Sequence, residues 1–350
     1  QWKNILETKG FLKISAYPEN STLSGRNVFI SMSEESAYIL NNEYITDLIK
    51  EKLPEYMIPN VYHSLEKNLL KALSFYKKAY ALKIGKDDIE LLMDMALIYD
   101  KIGLKNEAEE KYFEVLKLDE DDARAYYGLA VIYDENNELY RAKRYYKKAI
   151  EKDPNYDKGY FFLANIYDEL GEKNKAIENY KKVIELNKTD LWAYANLACI
   201  LEELDNNEEA LLYIDKALKI DSNNYKIFFN KGVILNKLNS TYDSIKCYER
   251  SIKINPKYPY SYLNLAVIYR ENGEFYKAIE VINEGITENK DEGFLYYNRA
   301  CFYVNIGEVL LAFEDIKKCI ELDESFLDYM KKDEELNPIR RLEEYKSLFN

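Results

Sequence analysis

From about residue 89 onward, small, large apolar and polar positions repeat every 34 residues. A small residue stands at Ala96, Ala130, Ala164, Ala198, Gly232, Ala266 and Ala300, and a second series lies twelve positions behind it, at Ala108, Ala142, Ala176, Ala210, Ser244, Ala278 and Ala312. Small side chains let two helices approach closely where they cross, so two such series at one period predict a row of helix pairs. Three residues after the first series come Tyr99, Tyr133, Tyr167, Leu201, Leu235, Tyr269 and Tyr303, one helical turn on and close to the same face. These large residues are expected to pack each hairpin.

Polar positions keep the same beat and mark the turns. Between the helices of a pair fall Gly103, Asn137, Gly171, Asp205, Asn239, Gly273 and Gly307, residue types that tolerate the left-handed conformation ending a helix. After each second helix come Asp119, Asp153, Asn187, Asp221, Asn255, Asn289 and Asp323, with Pro154 and Pro256 following two of them. Their side chains can bond the turn amides.

These residues resemble the tetratricopeptide repeat, a helix-turn-helix unit of 34 residues, and the unit holding Tyr126, Leu129, Ala130, Tyr133, Ala142, Tyr146, Ala149 and Pro154 matches it most fully. The resemblance implies an all-α fold, a right-handed α-solenoid of about seven to eight helix hairpins. Seven units are expected at 89–122, 123–156, 157–190, 191–224, 225–258, 259–292 and 293–324. A degenerate unit at 55–88 keeps a matching second helix at Ala72, Tyr76 and Ala79, but Pro54 and Pro59 disturb its first. Residues 325–350 read as C-terminal capping helices with charge along one side. Residues 1–54 stand outside the repeat as a small irregular cap or module, with candidate helices at Trp2–Lys9 and Glu43–Leu53 and candidate strands from Phe11 to Tyr17 and around Val28, Phe29 and Ile30.

Composition narrows the function. Of 350 residues 34 are tyrosine, and many fall on the repeat beat as inter-helix packing residues. Lys and Arg number 49 against 62 Asp and Glu, a net charge of −13, which argues against nucleic acid or an anionic membrane as main partner. A protein or peptide partner fits better, and a basic segment is the easier one to accommodate. No apolar stretch is long enough to span a membrane. Cys199, Cys247, Cys301 and Cys319 lie in repeat helices without a close pair, and a single His63 cannot complete a zinc site with them, so no metal or cofactor is expected. Reduced buried thiols suit a cytoplasmic location; the chain begins at Gln1 without a methionine, so a removed leader stays open. Phosphate-binding glycine loops, a nucleophile elbow and His-Glu-x-x-His are all missing, and no catalytic role is expected.

A candidate site remains on the first helices. The residue two before each first-series position is rotated about 200° from it, away from the packing side. That row reads Asp94, Gly128, Phe162, Asn196, Asn230, Asn264 and Asn298. Four asparagines 34 apart can donate to and accept from a peptide backbone. Some members of the resembling family hold peptides by such a ladder on their concave surface, which is what the resemblance implies here. Four positions earlier the same stripe carries Arg124, Lys158, Trp192, Lys226, Tyr260 and Phe294, and three later Val131, Asn165, Cys199, Val233, Val267 and Cys301. The far lip is acidic at Asp134 and Glu135, Asp168 and Glu169, and Glu202 and Glu203. The carboxylate clamp of chaperone-binding relatives is not matched, since Phe161 and Asn230 stand where two of its cations belong. The reading is a non-enzymatic scaffold that binds an extended segment in its groove. A regulatory or targeting subunit of a larger enzyme or complex and a self-associating, homo-oligomeric assembly protein stay open as alternatives.

Overall fold

The described residues of the computed structural model are 88–347, together with 11–12, 30–31, 69–70, 72–74, 76–78 and 80. The expected helices at Trp2–Lys9 and Glu43–Leu53, along with Pro54, Pro59, His63 and Ala79, lie outside them. Phe11–Leu12 (β1) and Ile30–Ser31 (β2) pair antiparallel, Phe11 opposite Ser31; β1 falls in the first expected strand run, and β2 meets the second at Ile30.

Among the described residues fourteen helices of 13 or 14 residues then follow in pairs. They are α1 (Ile89–Lys101) with α2 (Lys105–Leu118), α3 (Ala123–Glu135) with α4 (Leu139–Lys152), and α5 (Asp157–Glu169) with α6 (Lys173–Leu186). Next come α7 (Leu191–Glu203) with α8 (Asn207–Ile220), and α9 (Tyr225–Lys237) with α10 (Thr241–Ile254). The last pairs are α11 (Pro259–Glu271) with α12 (Phe275–Glu288), and α13 (Gly293–Asn305) with α14 (Val309–Leu322). The chain forms two compact units, residues 1–166 and 167–350. Within the first unit α1 packs with α2 and α3 with α4, and α2 packs on α3. Within the second α7 packs with α8, α9 with α10, α11 with α12 and α13 with α14, and each of α6, α8, α10 and α12 packs on the first helix that follows it.

The reasons lie in the repeated positions. Both small-residue series are buried, their alanines at 0% exposure, which is what close crossing demands. One unit departs from alanine in both series and compensates. Ser244 Oγ donates to the Gly232 carbonyl at 2.7 Å, and the Tyr248 ring fills the space in which a Gly232 Cβ would sit 2.7 Å away. All seven predicted hairpin residues, from Gly103 at φ 79° to Gly307 at 83°, occupy the left-handed region, including Asn137, Asp205 and Asn239. After the second helices, Asp119, Asp153, Asp221 and Asp323 each accept from the amide two residues on at 2.9 Å.

Helix starts show a further device. Asp88, Asp122, Asp190 and Asn224 cap first helices by accepting amide hydrogen bonds from the first turn. Pro259 opens α11 at the position that has no amide partner to lose.

The C-terminal segment differs from the expected capping helices. Phe326–Met330 makes a five-residue helix, α15, followed by single 3-10 turns at Glu334–Leu336 and Ile339–Arg341 and a short α16 at Glu343–Ser347. Asp333 accepts from the Glu335 amide and starts a new turn, while Pro338 cannot donate within a continuing helix. The cap is apolar where it touches the array: Met330, Leu336 and Ile339 are fully buried against the α13 and α14 core around Cys301, Phe302 and Ile316. Arg340 ties the turns by donating to the carbonyls of Met330 and Asp333 at 2.8 and 2.6 Å. Among the described residues no helix is long and apolar enough to cross a membrane, and no group of His, Cys, Asp and Glu could hold a metal ion.

Candidate functional site: the stripe along the first helices

The asparagine row is half-buried at all four positions, and each Nδ2 donates within the protein. Their partners follow a rule written 16 residues upstream, on the preceding second helix. There stand Tyr112, Tyr146, Tyr180, Ile214, Tyr248 and Ile282, all buried. Where that residue is tyrosine, the asparagine bonds its hydroxyl: Asn196 to Tyr180 at 3.1 Å and Asn264 to Tyr248 at 3.2 Å. Where it is isoleucine, the amide turns elsewhere. Asn230 donates to Cys199 Sγ at 3.1 Å, and Asn298 to its own helix at the Phe294 carbonyl, 2.8 Å.

The earlier members of the row meet the same tyrosines without an amide. Phe162 stacks on Tyr146 with centroids 5.9 Å apart, and a Cβ on Gly128 would lie 2.2 Å from the Tyr112 ring. Tyr146 turns its hydroxyl to Asp134 at 3.1 Å. Asp94 accepts from Tyr76 at 2.9 Å, and burial raises its carboxyl above the usual range against the lowering effect of that bond. Burial likewise pushes the Tyr248 hydroxyl up to about 12 and the Cys199 thiol up to about 12, so both are protonated partners for the amides at neutral pH.

Four positions upstream, equivalent residues of successive repeats touch one another. Glu90 and Arg124 form an ion pair at 2.8 Å, Lys226 Nζ lies 5.8 Å from the Trp192 ring, and Tyr260 stacks on Phe294 at 5.2 Å. Tyr258 joins Tyr260 at 5.4 Å and Phe229 at 5.3 Å, which extends an aromatic shelf from α9 to α13. Trp192, Tyr260 and Lys226 are exposed, as is Lys158 in the first unit, where Asn165 is half-buried.

The acidic lip is largely paired. Lys105 bridges Asp100 and Glu135, and Lys173 bridges Asp168 and Glu203. Lys237 reaches Glu202 at 2.6 Å and Asp205 at 3.5 Å. Burial alone would lower the Lys105 and Lys173 ammonium groups, but the carboxylates outweigh it and raise them. These acids therefore link one repeat to the next, which reduces the field they present to a basic ligand. At the far end Arg270 pairs with Glu335 of the cap at 3.1 Å, and Tyr297 donates to Asp333. Cys301 is buried beside these acids, and its burial, with Glu335 and Asp333 next to it, lifts its thiol to about 12.

Family models described as tetratricopeptide repeat match residues 123–156 and 158–190, 179–211 and 247–280, and 225–258 and 295–326. Together these matches cover half of the 350 residues. No curated protein matches the chain. Among solved structures, a tetratricopeptide repeat protein from Parabacteroides merdae is 20% identical with a TM-score of 0.57, over 73% of this chain and 100% of that one. The Cut9–Hcn1 hetero-tetramer of APC/C is 15% identical with a TM-score of 0.52, over 86% of this chain and 58% of that one. PilF of Pseudomonas aeruginosa is 18% identical with a TM-score of 0.51, over 63% and 97%. At such identities the likeness is one of fold. With the helix pairs, the buried small-residue series and the left-handed hairpin turns all in place, the chain belongs to the tetratricopeptide repeat family, whose helical arrays serve as protein-interaction scaffolds.

Proposed function

We propose that this scaffold binds an extended segment of a protein partner along the first-helix stripe from α7 to α13, by backbone hydrogen bonds to asparagines and side-chain contact with the aromatic shelf, and without catalysis of its own. The observation that carries the reading is the row Asn196, Asn230, Asn264 and Asn298, where each amide has one Nδ2–H engaged within the protein. An amide offers two donors and one carbonyl acceptor, so a second N–H and the carbonyl remain to meet a peptide backbone. A repeating backbone contact selects an extended chain over a particular sequence. Trp192, Tyr260 and Phe294 supply apolar contact beside the amides, and Lys226 over Trp192 adds a cation at the same lip. The paired acids of the opposite lip give a basic segment a modest preference only.

The test is a peptide-array screen with the labelled full chain, repeated with Asn230→Ala/Asn298→Ala, the two rungs without a tyrosine partner. Peptides bound by the parent chain are expected to be lost or weakened by roughly tenfold in the variant, about 1.4 kcal/mol shared between two amides. Equal binding by both proteins would move the binding surface off this stripe.

A further inference from the structure

The chain is acidic overall, yet α4 carries Arg141, Lys143, Arg144, Lys147, Lys148 and Lys152 against a single acid, Glu151. Fourteen residues span about 21 Å, so this is a compact basic strip in an acidic molecule. Its cations are not equivalent. Arg141 is held by Glu138 at 2.8 Å and by the Tyr133 hydroxyl at 2.9 Å, and Lys152 by Asp121 at 2.5 Å. Arg144 and Lys148, one turn apart on one face, have no carboxylate partner among the described residues. Both are planted on aromatic rings instead: Arg144 lies 5.0 Å from the Tyr145 centroid, and Lys148 5.8 Å from Tyr145 and 5.1 Å from Tyr126.

Those rings border a cavity of about 590 Å³ among α2, α3 and α4, with Phe113, Leu116, Tyr126 and Tyr145 as its apolar lining. Tyr145 is fixed by packing on Tyr133 and Tyr126, with centroids 5.2 and 6.3 Å away. Lys148 and Lys117 stand at its rim, and Glu110 and Glu114 line the α2 side. Glu114 is already engaged by Lys111 at 2.7 Å and by the Tyr80 hydroxyl at 2.9 Å, which leaves Glu110 as the main opposing charge.

We propose that this face of α4 is a second docking site, distinct from the asparagine stripe, which takes a short acidic segment of a partner protein carrying one aromatic or large aliphatic residue. Carboxylates of the segment pair with Arg144 and Lys148, and the apolar side chain enters the cavity over Tyr126 and Tyr145. Nucleic acid fits less well. A duplex needs cations spread along its phosphates, whereas here two uncommitted cations sit on one short helix beside the carboxylates of α2.

The probe is a short fluorescent peptide in which glutamates surround a single phenylalanine, titrated into the full chain by anisotropy. Saturable, salt-sensitive binding is expected, weakened roughly tenfold in Arg144→Gln/Lys148→Gln. It is expected to weaken also when the phenylalanine is replaced by glycine, and to tighten in Glu110→Gln. Asn230→Ala/Asn298→Ala is expected to bind this peptide like the parent, which separates the site from the first-helix stripe. Glutamine keeps the helix, and an unchanged melting curve verifies that the variants are folded. No binding, equal binding by the glutamine variants, or tighter binding of duplex DNA or anionic phosphatidylserine vesicles than of the peptide would overturn the proposal.

Discussion

At one and the same repeat position the two units of the chain carry different chemistry. Residues 89–166 place Asp94, Gly128 and Phe162 there, and residues 167–350 place Asn196, Asn230, Asn264 and Asn298. In the first unit the position is closed by packing at two of its three occurrences, because Gly128 and Phe162 lie directly on Tyr112 and Tyr146, while Asp94 accepts from Tyr76. In the second it is polar and half-buried, and the tyrosine beneath becomes a hydrogen-bond partner, as in Asn196 with Tyr180. A repeat can thus keep its scaffold while its exposed stripe changes from ring packing to amide chemistry. A further division runs within the second unit. Asn196 and Asn264 are anchored on tyrosine hydroxyls, while Asn230 and Asn298 sit above Ile214 and Ile282 and find other acceptors.

The strongest way to break this comparison is to put a methyl group where the first unit has none. Gly128→Ala places a Cβ into the buried Tyr112 ring, so overpacking costs about 1 to 3 kcal/mol and outweighs the helix-propensity gain of up to about 1 kcal/mol. Urea denaturation is expected to show a net loss. Combining it with Tyr112→Leu is expected to cost less than the sum of the two single changes. Wild-type stability in Gly128→Ala would mean that the ring does not fill that space.

A smaller effect sharpens the division among the asparagines. Asn196→Ala and Asn264→Ala are each expected to lose about 1 kcal/mol, since a buried tyrosine hydroxyl loses that hydrogen bond. Asn230→Ala and Asn298→Ala are expected to stay within about 0.5 kcal/mol of the parent. A double-mutant cycle of Asn196→Ala with Tyr180→Phe is expected to show coupling in the same denaturation assay. Four equal losses would remove the distinction between anchored and unanchored rungs.

The smallest expected effect compares helix starts. Asp122 caps α3 in the first unit, and Asn224 caps α9 at the equivalent position of the second. Burial pushes the Asp122 carboxyl up, but hydrogen bonds from Arg124 and from the Ala125 amide outweigh it and hold the group below the usual carboxylate range. Its contribution is therefore present above about pH 4, the unfolded value, and is lost as pH falls through the lower folded value. Asp122→Asn is expected to melt below wild type at neutral pH, by about 1 kcal/mol or less after solvent screening, with the gap closing in acid. A gap that persists in acid would assign the effect to cap geometry. No comparable pH dependence is expected from Asn224→Ser, because neither side chain titrates.

The repeat period, the pairing of helices and the hairpin turns were legible in the residues alone, because each depends on a local property. Alanine at a crossing, glycine or asparagine at positive φ, and aspartate after a helix act within a few residues of themselves, so a fixed spacing exposes them. The C-terminal turns were less legible. Their charged pattern reads as helix, but Asp333 and Pro338 divide it, and the burial of Met330, Leu336 and Ile339 depends on α13 and α14. The asparagine row was visible in sequence, and so was the tyrosine or isoleucine 16 residues before each member, yet no local rule joins residues on different helices. That pairing exists because one repeat's second helix packs against the next repeat's first helix. The lysines that bridge Asp100 to Glu135 and Asp168 to Glu203 follow the same logic. Sequence alone thus determined the architecture, through short-range conformational preferences repeated on a 34-residue beat. Tertiary structure alone decided which amides are anchored, which acids are paired and which cations of α4 have no carboxylate, since each depends on contacts between helices distant in sequence.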